Sequence, residues 1–65
     1  MKEPSIHFRK GIEAGIHGLL EEAAQCFAQG HEQEDVECSA ELAICYREGV
    51  GVPRDFNEFY RLARE

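Results

Sequence analysis

Cysteine and histidine are the residues of this 65-residue chain whose side chains are best suited to chemistry. Thiolate sulfur and imidazole nitrogen are the usual protein ligands of zinc, and thiols also carry redox chemistry. The chain holds three of each type: Cys26, Cys38 and Cys45, with His7, His17 and His31. Because no Cys-x2-Cys or His-x3-His pair occurs, the spacing argues against a structural metal site.

A disulfide between Cys26 and Cys38 is also disfavoured by their positions. The helical pattern described below places them on neighbouring antiparallel helices, with Cys38 opposite Gly30 or His31. Cys26 is then out of level by roughly one helical turn, about 5.4 Å, which does not suit S–S geometry. We therefore expect three free, mostly buried thiols that pack as small apolar side chains. A thiol-based redox or metal-binding protein is kept as an alternative interpretation.

Nucleophilic or acid–base catalysis requires a nucleophile, a base and an orienting group within one pocket. His31 and Cys38 are the only such pair that the pattern brings close, and an imidazole that packs beside a buried thiol accounts for it. Acidic residues cluster between Glu32 and Glu37, but they lack the central Gly and terminal Glu of a calcium loop. The sequence therefore predicts a non-catalytic protein without a cofactor or metal.

Charge is distributed unevenly along the chain. The net charge is −6, and no Lys or Arg occurs between Gly11 and Tyr46. This acidic stretch is either a solubilising surface or a docking patch for a basic partner, and it argues against nucleic-acid binding. No apolar run approaches the roughly 20 residues of a membrane span, and the first residues lack the apolar core of a secretory signal. We expect a cytoplasmic protein that does not bind membranes.

Apolar and small residues recur at steps of three and four, which predicts four helices. The predicted helices span about residues 5–14, 19–33 and 36–48, and from about 55 to the end of the chain. The fold class is therefore all-α, with two antiparallel helical hairpins. The expected apolar faces are Phe8, Gly11, Ile12 and Gly15, then Leu20, Ala23, Ala24, Phe27 and either Gly30 or His31, then Cys38, Leu42, Cys45 and Tyr46, and finally Phe56, Phe59, Tyr60 and Ala63.

The segment between the third and fourth predicted helices carries the clearest turn signals. Gly49 and Gly51 adopt positive φ without strain, which suits a helix end followed by a tight turn. Pro53 cannot continue a helix. Asp55 can then cap the fourth helix, and Glu58 would complete a capping-box-like pair. We predict a structural turn that depends on Gly49, Gly51 and Asp55.

The stretch from Cys38 to Asp55 reads Cys-x3-Leu-Ala-x2-Tyr-x2-Gly-Val-Gly-Val-x2-Asp and resembles the Sel-like repeat, a relative of the tetratricopeptide repeat. A shift of 36 residues places Gly15 on Gly51 and indicates an earlier copy. The resemblance implies one short α-solenoid module over residues 1–65, with a degenerate repeat at about 1–34 and an incomplete one at about 35–65. Four positions depart from the family pattern: Lys10, Leu19, Ala43 and Phe59.

The resemblance also implies a function, because such repeats mostly act as protein-binding scaffolds whose first helices line a concave face. The partner-binding residues that it implies are Phe8, Ile12, Glu37, Ala40, Ile44, Arg47 and Glu48. An apolar strip of Phe8, Ile12 and Ile44 beside acids would suit an amphipathic helix or extended peptide with basic residues, whereas the alternative places Phe8 and Ile12 in the core. We expect a protein-interaction adaptor or a subunit of a larger assembly.

The fourth predicted helix has no later helix to cover Phe56, Phe59 and Tyr60. A chain of this size buries only about 60% of its unfolded surface, and about three repeats are usually needed for a stable stack. Either the chain belongs to a longer array or its helices associate with a second copy. The alternative function is therefore a small obligate homo-oligomer with a structural role.

Overall fold

The computed structural model describes residues 5–64, and these residues form four α-helices and no β-strand. The helices are α1 (Ile6–Ile16), α2 (Leu20–Glu32), α3 (Val36–Glu48) and α4 (Phe56–Ala63). Each helix packs against the next one along the chain, and α1 also contacts α3. Because short turns join packed neighbours, consecutive helices run antiparallel. The all-α prediction is confirmed, and the bounds of α3 are those predicted.

The first helix begins after Ser5, whose hydroxyl accepts a hydrogen bond from the Phe8 N–H at 3.1 Å. It was expected to end before Gly15, but it continues to Ile16. Gly15 keeps a helical conformation. The chain turns at Gly18, whose φ of 77° lies in the left-handed region that glycine adopts without strain. The two additional helical residues, Gly15 and Ile16, lengthen the surface that α1 presents beside α3.

The buried face of α1 differs from the predicted one. Gly11 and Ala14 are buried, Phe8 is half-buried, and Ile12 is exposed. Gly11 lies against the Phe27 ring: a Cβ added at Gly11 would lie 2.8 Å from Cδ1 and Cζ of that ring and closer still to Cε1. Glycine at this position therefore allows α1 to lie directly on the largest buried side chain of α2.

The core consists mainly of small residues contributed by all four helices. The predicted stripes of α2 and α3 are largely confirmed, although Leu20 is exposed and Tyr46 is half-buried. The buried apolar side chains are Ala14, Ala23, Ala24, Phe27, Cys38, Leu42, Ala43, Cys45 and Leu62. Helices with alanine, cysteine and glycine at their contacts approach one another closely, so a thin core holds the four helices together.

The last helix is covered along only one side. Leu62, which the predicted stripe omitted, is buried, and Phe59 is half-buried against the core. Phe56 and Tyr60 are 50% and 59% exposed. Phe56 and Tyr60 remain exposed because α4 contacts α3 and no other described helix. One neighbouring helix covers only part of the apolar side of α4.

Asp55 fixes the start of α4. Its carboxylate accepts hydrogen bonds from the N–H groups of Asn57 and Glu58 at 3.0 and 3.2 Å, as expected of an N-cap. The predicted capping-box pair is wrong, because the Glu58 carboxylate binds Arg61 at 3.1 Å instead. The Asp55 N–H donates to the Tyr46 carbonyl oxygen at 2.9 Å, which ties the beginning of α4 to the end of α3.

The glycine turn lies against the beginning of α2. Gly49 ends α3 at φ 72°, and Gly51 has φ 74°, so both predicted left-handed turn positions are confirmed. A Cβ at Gly51 would lie 2.7 Å from the Leu20 carbonyl carbon and 3.1 Å from the Ala24 methyl group. Gly51 is thus required both by its φ and by its close approach to α2.

Gly51→Ala is expected to lower the free energy of unfolding more than Gly18→Ala does. Both glycines have positive φ, at 74° and 77°, so both variants carry backbone strain of about 1–2 kcal/mol. Only the Gly51 variant also forces a methyl group against backbone atoms, because nothing lies within 4 Å of a Cβ at Gly18. Urea unfolding followed by circular dichroism measures the difference, and equal losses would contradict the close approach.

Candidate protein-binding surface

A shallow apolar groove runs between α1 and α3, and residues of α2 form its floor. Ile12 on α1 and Ile44 on α3 line it, and they are 38% and 37% exposed. We call this surface the α1–α3 groove; its exposed or half-buried side chains are Ile12, Ile16, Leu20, Glu41, Ile44 and Val50. Exposed apolar residues grouped in one depression are typical of a surface that binds another molecule.

Glycine on α1 opens this groove. Gly11 lies against the Phe27 ring, and a Cβ at Gly15 would meet no atom within 4 Å. On α1, the isoleucine side chains of Ile12 and Ile16 therefore project into the groove, whereas Gly15 leaves open space between them. A partner side chain inserted there would contact the floor formed by Ala23 and Phe27.

The structure separates the predicted apolar strip into different environments. Ile12 and Ile44 lie in the α1–α3 groove, whereas Phe8 does not line it. The Phe8 ring is half-buried against the core, with its centroid 6.2 Å from that of Phe27. Ala40 does not line the groove and lies where α3 faces α4. Only the two isoleucines of the strip therefore share one surface.

The charged residues predicted for binding are exposed but do not line the groove. Arg47 pairs with Glu48 at 3.0 Å, and its guanidinium lies 5.6 Å from the centroid of the Phe59 ring. Arg47 is thus directed toward α4. Glu37 is exposed near the start of α3, and Glu41, which sequence reasoning did not select, is the acid that lines the groove.

Sequence reasoning also missed Ile16 and Leu20 as groove residues. Ile16 is 77% exposed and follows Ile12 by four positions on α1. That spacing is a signal of a shared helical face, but the expected helix end before Gly15 concealed it. Leu20 was assigned to the core stripe of α2, although it lies at the beginning of the helix where no other helix covers it.

A second apolar surface lies between α3 and α4. We call it the α3–α4 face; polar residues at one end are His31, Glu34 and Ser39, and its apolar lining residues are Val36, Ala40, Ala43, Ile44, Phe59, Leu62 and Ala63. Of the residues predicted to contact a second copy or a next repeat, Phe59 lies on this face, and Phe56 and Tyr60 are exposed on the same helix. Ile44 is the one exposed isoleucine common to both surfaces.

His31 and Ser39 connect the end of α2 to the start of α3. His31 Nδ1 lies 2.6 Å from Ser39 Oγ, and the Ser39 hydroxyl donates to the Asp35 carbonyl oxygen at 3.1 Å. The tautomer of His31 decides which of the two groups donates in the first of these bonds. Together the two contacts tie the end of α2 to the turn before α3.

Of the two positions predicted to lie opposite Cys38, Gly30 is confirmed. Cys38 is fully buried, with its side chain against Gly30 and its Sγ 3.7 Å from Ser5 Oγ, and His31 is bonded to Ser39. The close approach of Gly30 and Cys38 places the thiol in the interface between α2 and α3.

The cysteines are free thiols in the structure, and two of them are buried. Burial raises the pKa of the Cys38 and Cys45 thiols above their ordinary value. Cys26 is half-buried. Within residues 5–64, no group of three or more His, Cys, Asp or Glu side chains is arranged to hold a metal ion. Buried thiols with raised pKa are weak nucleophiles near neutral pH.

Comparisons of the chain with protein-family models, with curated proteins and with solved structures gave no match. The similarity to Sel-like repeats therefore depends on residues 38–55 alone. Among the described residues, no helix is both long and apolar enough to cross a membrane.

Cys26 is expected to react with a thiol reagent faster than Cys38 or Cys45. Cys26 is half-buried, whereas the other two thiols are buried and have raised pKa values, so little thiolate forms at pH 7. Iodoacetamide labelling followed by peptide mass mapping measures the order. Fast labelling of Cys38 in the folded protein would contradict its burial, and labelling in urea provides the control in which all three should react alike.

Asp35 is expected to contribute to unfolding at acidic pH. The Ser5 hydroxyl, and then the N–H groups of Cys38 and Glu37, lower the pKa of its carboxyl below 3.8 and outweigh its slight desolvation. A depressed pKa stabilises the fold above the unfolded value, and the contribution disappears as pH falls through the folded value. Asp35→Asn retains a capping oxygen, so its stability should fall less between about pH 5 and pH 2.

Urea unfolding at a series of pH values measures this difference. The matched control is Glu32→Gln, which removes an exposed acid at the end of α2. Parallel stability curves for the parent protein and Asp35→Asn would show that the cap does not titrate with a depressed pKa.

Proposed function

We propose that this protein is a non-catalytic interaction module that binds a basic amphipathic helix or peptide in the α1–α3 groove. The observation that carries the proposal is the grouping of Ile12, Ile16, Leu20 and Ile44 around a floor formed by Ala23 and Phe27. A partner that filled this depression would gain a binding free energy of about 25 cal/mol for each Å² of apolar surface removed from water.

The shape of the groove favours a helix or extended peptide over a small ligand. Its walls are two helices, α1 and α3, and its apolar residues follow the helix axes rather than enclosing a cavity. An amphipathic helix places apolar residues at successive turns along such a groove. Ile12 and Ile16, one turn apart on α1, would contact successive turns of the partner.

The charge of the groove favours a basic partner. Glu41 lines it, and Glu13 is exposed on α1 next to Ile12. No lysine or arginine occurs between Gly11 and Tyr46, so the stretch that supplies most of the groove is acidic. Lysine or arginine residues flanking the apolar stripe of a partner would increase its association rate and orient it.

The state of the two buried thiols and the hydrogen bond of Ser39 support a non-catalytic role. The two most buried thiols have raised pKa values, and the Ser39 hydroxyl is bonded to a backbone carbonyl. The resemblance to Sel-like repeats supports binding as well, because the first helices of such repeats line the surface that holds a partner. Membership in a larger assembly is consistent with the same groove.

The proposal is tested with a fluorescein-labelled peptide that carries leucines on one helical face and lysines beside them. Fluorescence anisotropy should show saturable binding, and Ile12→Glu should raise the Kd at least about tenfold, equivalent to about 1.4 kcal/mol. Glu41→Gln should weaken binding less, because it removes one charge and leaves the apolar contacts intact.

Two matched controls make this result specific. Ile6→Glu introduces the same charge on the same helix at an exposed isoleucine that does not line the groove, and it should bind the peptide like the parent protein. A peptide with glutamates in place of the lysines should bind more weakly. Equal effects of Ile6→Glu and Ile12→Glu, or equal binding of the two peptides, would overturn the proposal.

A further inference from the structure

We infer that the α1–α3 groove selects its partner through one anchor, a long apolar side chain such as leucine that inserts at Gly15 between Ile12 and Ile16. The inference rests on the proposed function, because it names the feature of the partner helix that the groove recognises. Gly15 belongs to the lining of the groove, and no atom lies within 4 Å of a Cβ added there.

The fold itself requires the other glycines of the chain. Three of the six have positive φ, and two lie so close to a side chain of a neighbouring helix that a Cβ would overlap it. Gly15 has neither property, since it lies in α1 without a positive φ and has open space beside it. The five glycines that the fold requires are Gly18, Gly49 and Gly51 for the backbone and Gly11 and Gly30 for the close approach.

A glycine that the fold does not require is unfavourable in a helix. Glycine loses more backbone freedom on folding than alanine does, so alanine would stabilise the same conformation. The isolated protein therefore gains nothing from the missing side chain at Gly15. A partner does gain from it, because the space opens into the groove.

The packing of α1 on α2 places a second small residue beneath this space. Gly11 lies against the Phe27 ring. One turn further along α1 is Gly15, and one turn back along the antiparallel α2 is Ala23. Ala23 is buried and lines the groove. A glycine and an alanine at facing positions leave a depression that is deep enough to receive a side chain.

Large apolar side chains surround the depression. Ile12 and Ile16 flank Gly15 on α1, and Leu20 and Ile44 line the same groove from α2 and α3. All four are exposed in the isolated protein. A long side chain inserted among them would be contacted on several sides and would exclude water from all of them, as binding hot spots do. An alanine at that position of the partner would not reach them.

The charge of the lining agrees with the basic partner already proposed. Glu41 is half-buried and is the charged residue that lines the groove. Arg9 is exposed one turn before Ile12 on α1 but lies outside the lining. The recognised segment therefore combines a long apolar anchor with a lysine or arginine beside it.

Fluorescence anisotropy with the leucine–lysine peptide, and with versions in which each leucine in turn is replaced by alanine, tests the inference. In the parent protein one replacement should raise the Kd at least about tenfold, and the others should raise it less. In Gly15→Leu, whose own side chain fills the space, that replacement should raise the Kd less than about threefold. Gly15→Ala should reduce the effect in part, and both variants should melt no lower than the parent protein because a Cβ meets no atom there.

Ala40→Leu is the matched control, since it enlarges an exposed small residue of α3 that does not line the groove. It should keep the full effect of the anchor replacement. Equal losses at every leucine, or a full effect retained in Gly15→Leu and Gly15→Ala, would overturn the anchor; if Ile12→Glu still weakened binding, the groove would remain the binding site. Absence of peptide binding by the parent protein would overturn the proposed function and the anchor together.

Discussion

The fold depends on the close approach of α3 and its following turn to α2 at two separate points. At one end of α2, Gly30 lies against the buried Cys38 side chain; at the other, Gly51 lies against the Leu20 backbone and the Ala24 methyl group. Neither glycine could be replaced by a larger residue without moving one of the helices. Because both ends of α2 are fixed in this way, the direction of α3 is set, and the turn that leads to α4 is set with it.

A consequence of this close packing is an unusual division between small and large apolar residues. The interior holds alanines and cysteines together with Phe27, Leu42 and Leu62, whereas many of the larger apolar residues lie outside. The exposed ones are Ile6, Ile12, Ile16, Leu19, Leu20, Val36, Ile44, Phe56 and Tyr60. Large apolar side chains gain the most from contact with another surface, so the small-residue core and the exposed apolar α1–α3 groove follow from the same packing.

The sequence predicted the helices and turns well because their signals are local. Asp35 and Asp55 cap the helices expected of them, and Gly49 and Gly51 take the expected positive φ. Faces were harder to predict. Gly11 and Gly15 are both glycines of α1, yet Gly11 contacts the Phe27 ring and Gly15 has open space beside it. Nothing in the local sequence pattern distinguishes the two positions. Leu62 is buried although Tyr60 is exposed because α4 meets only one neighbour, which is a property of the tertiary arrangement.

Nuclear Overhauser contacts in the isolated protein measure the two close approaches directly. The structure predicts strong contacts from the Gly30 Hα protons to the Cys38 Hβ protons and from the Gly51 Hα protons to the Ala24 methyl group, since these pairs are in van der Waals contact. Observation of both would establish that α2 is held at its two ends by glycine. A well-dispersed helical spectrum that lacked both contacts would contradict this account of the fold and of the surfaces built on it.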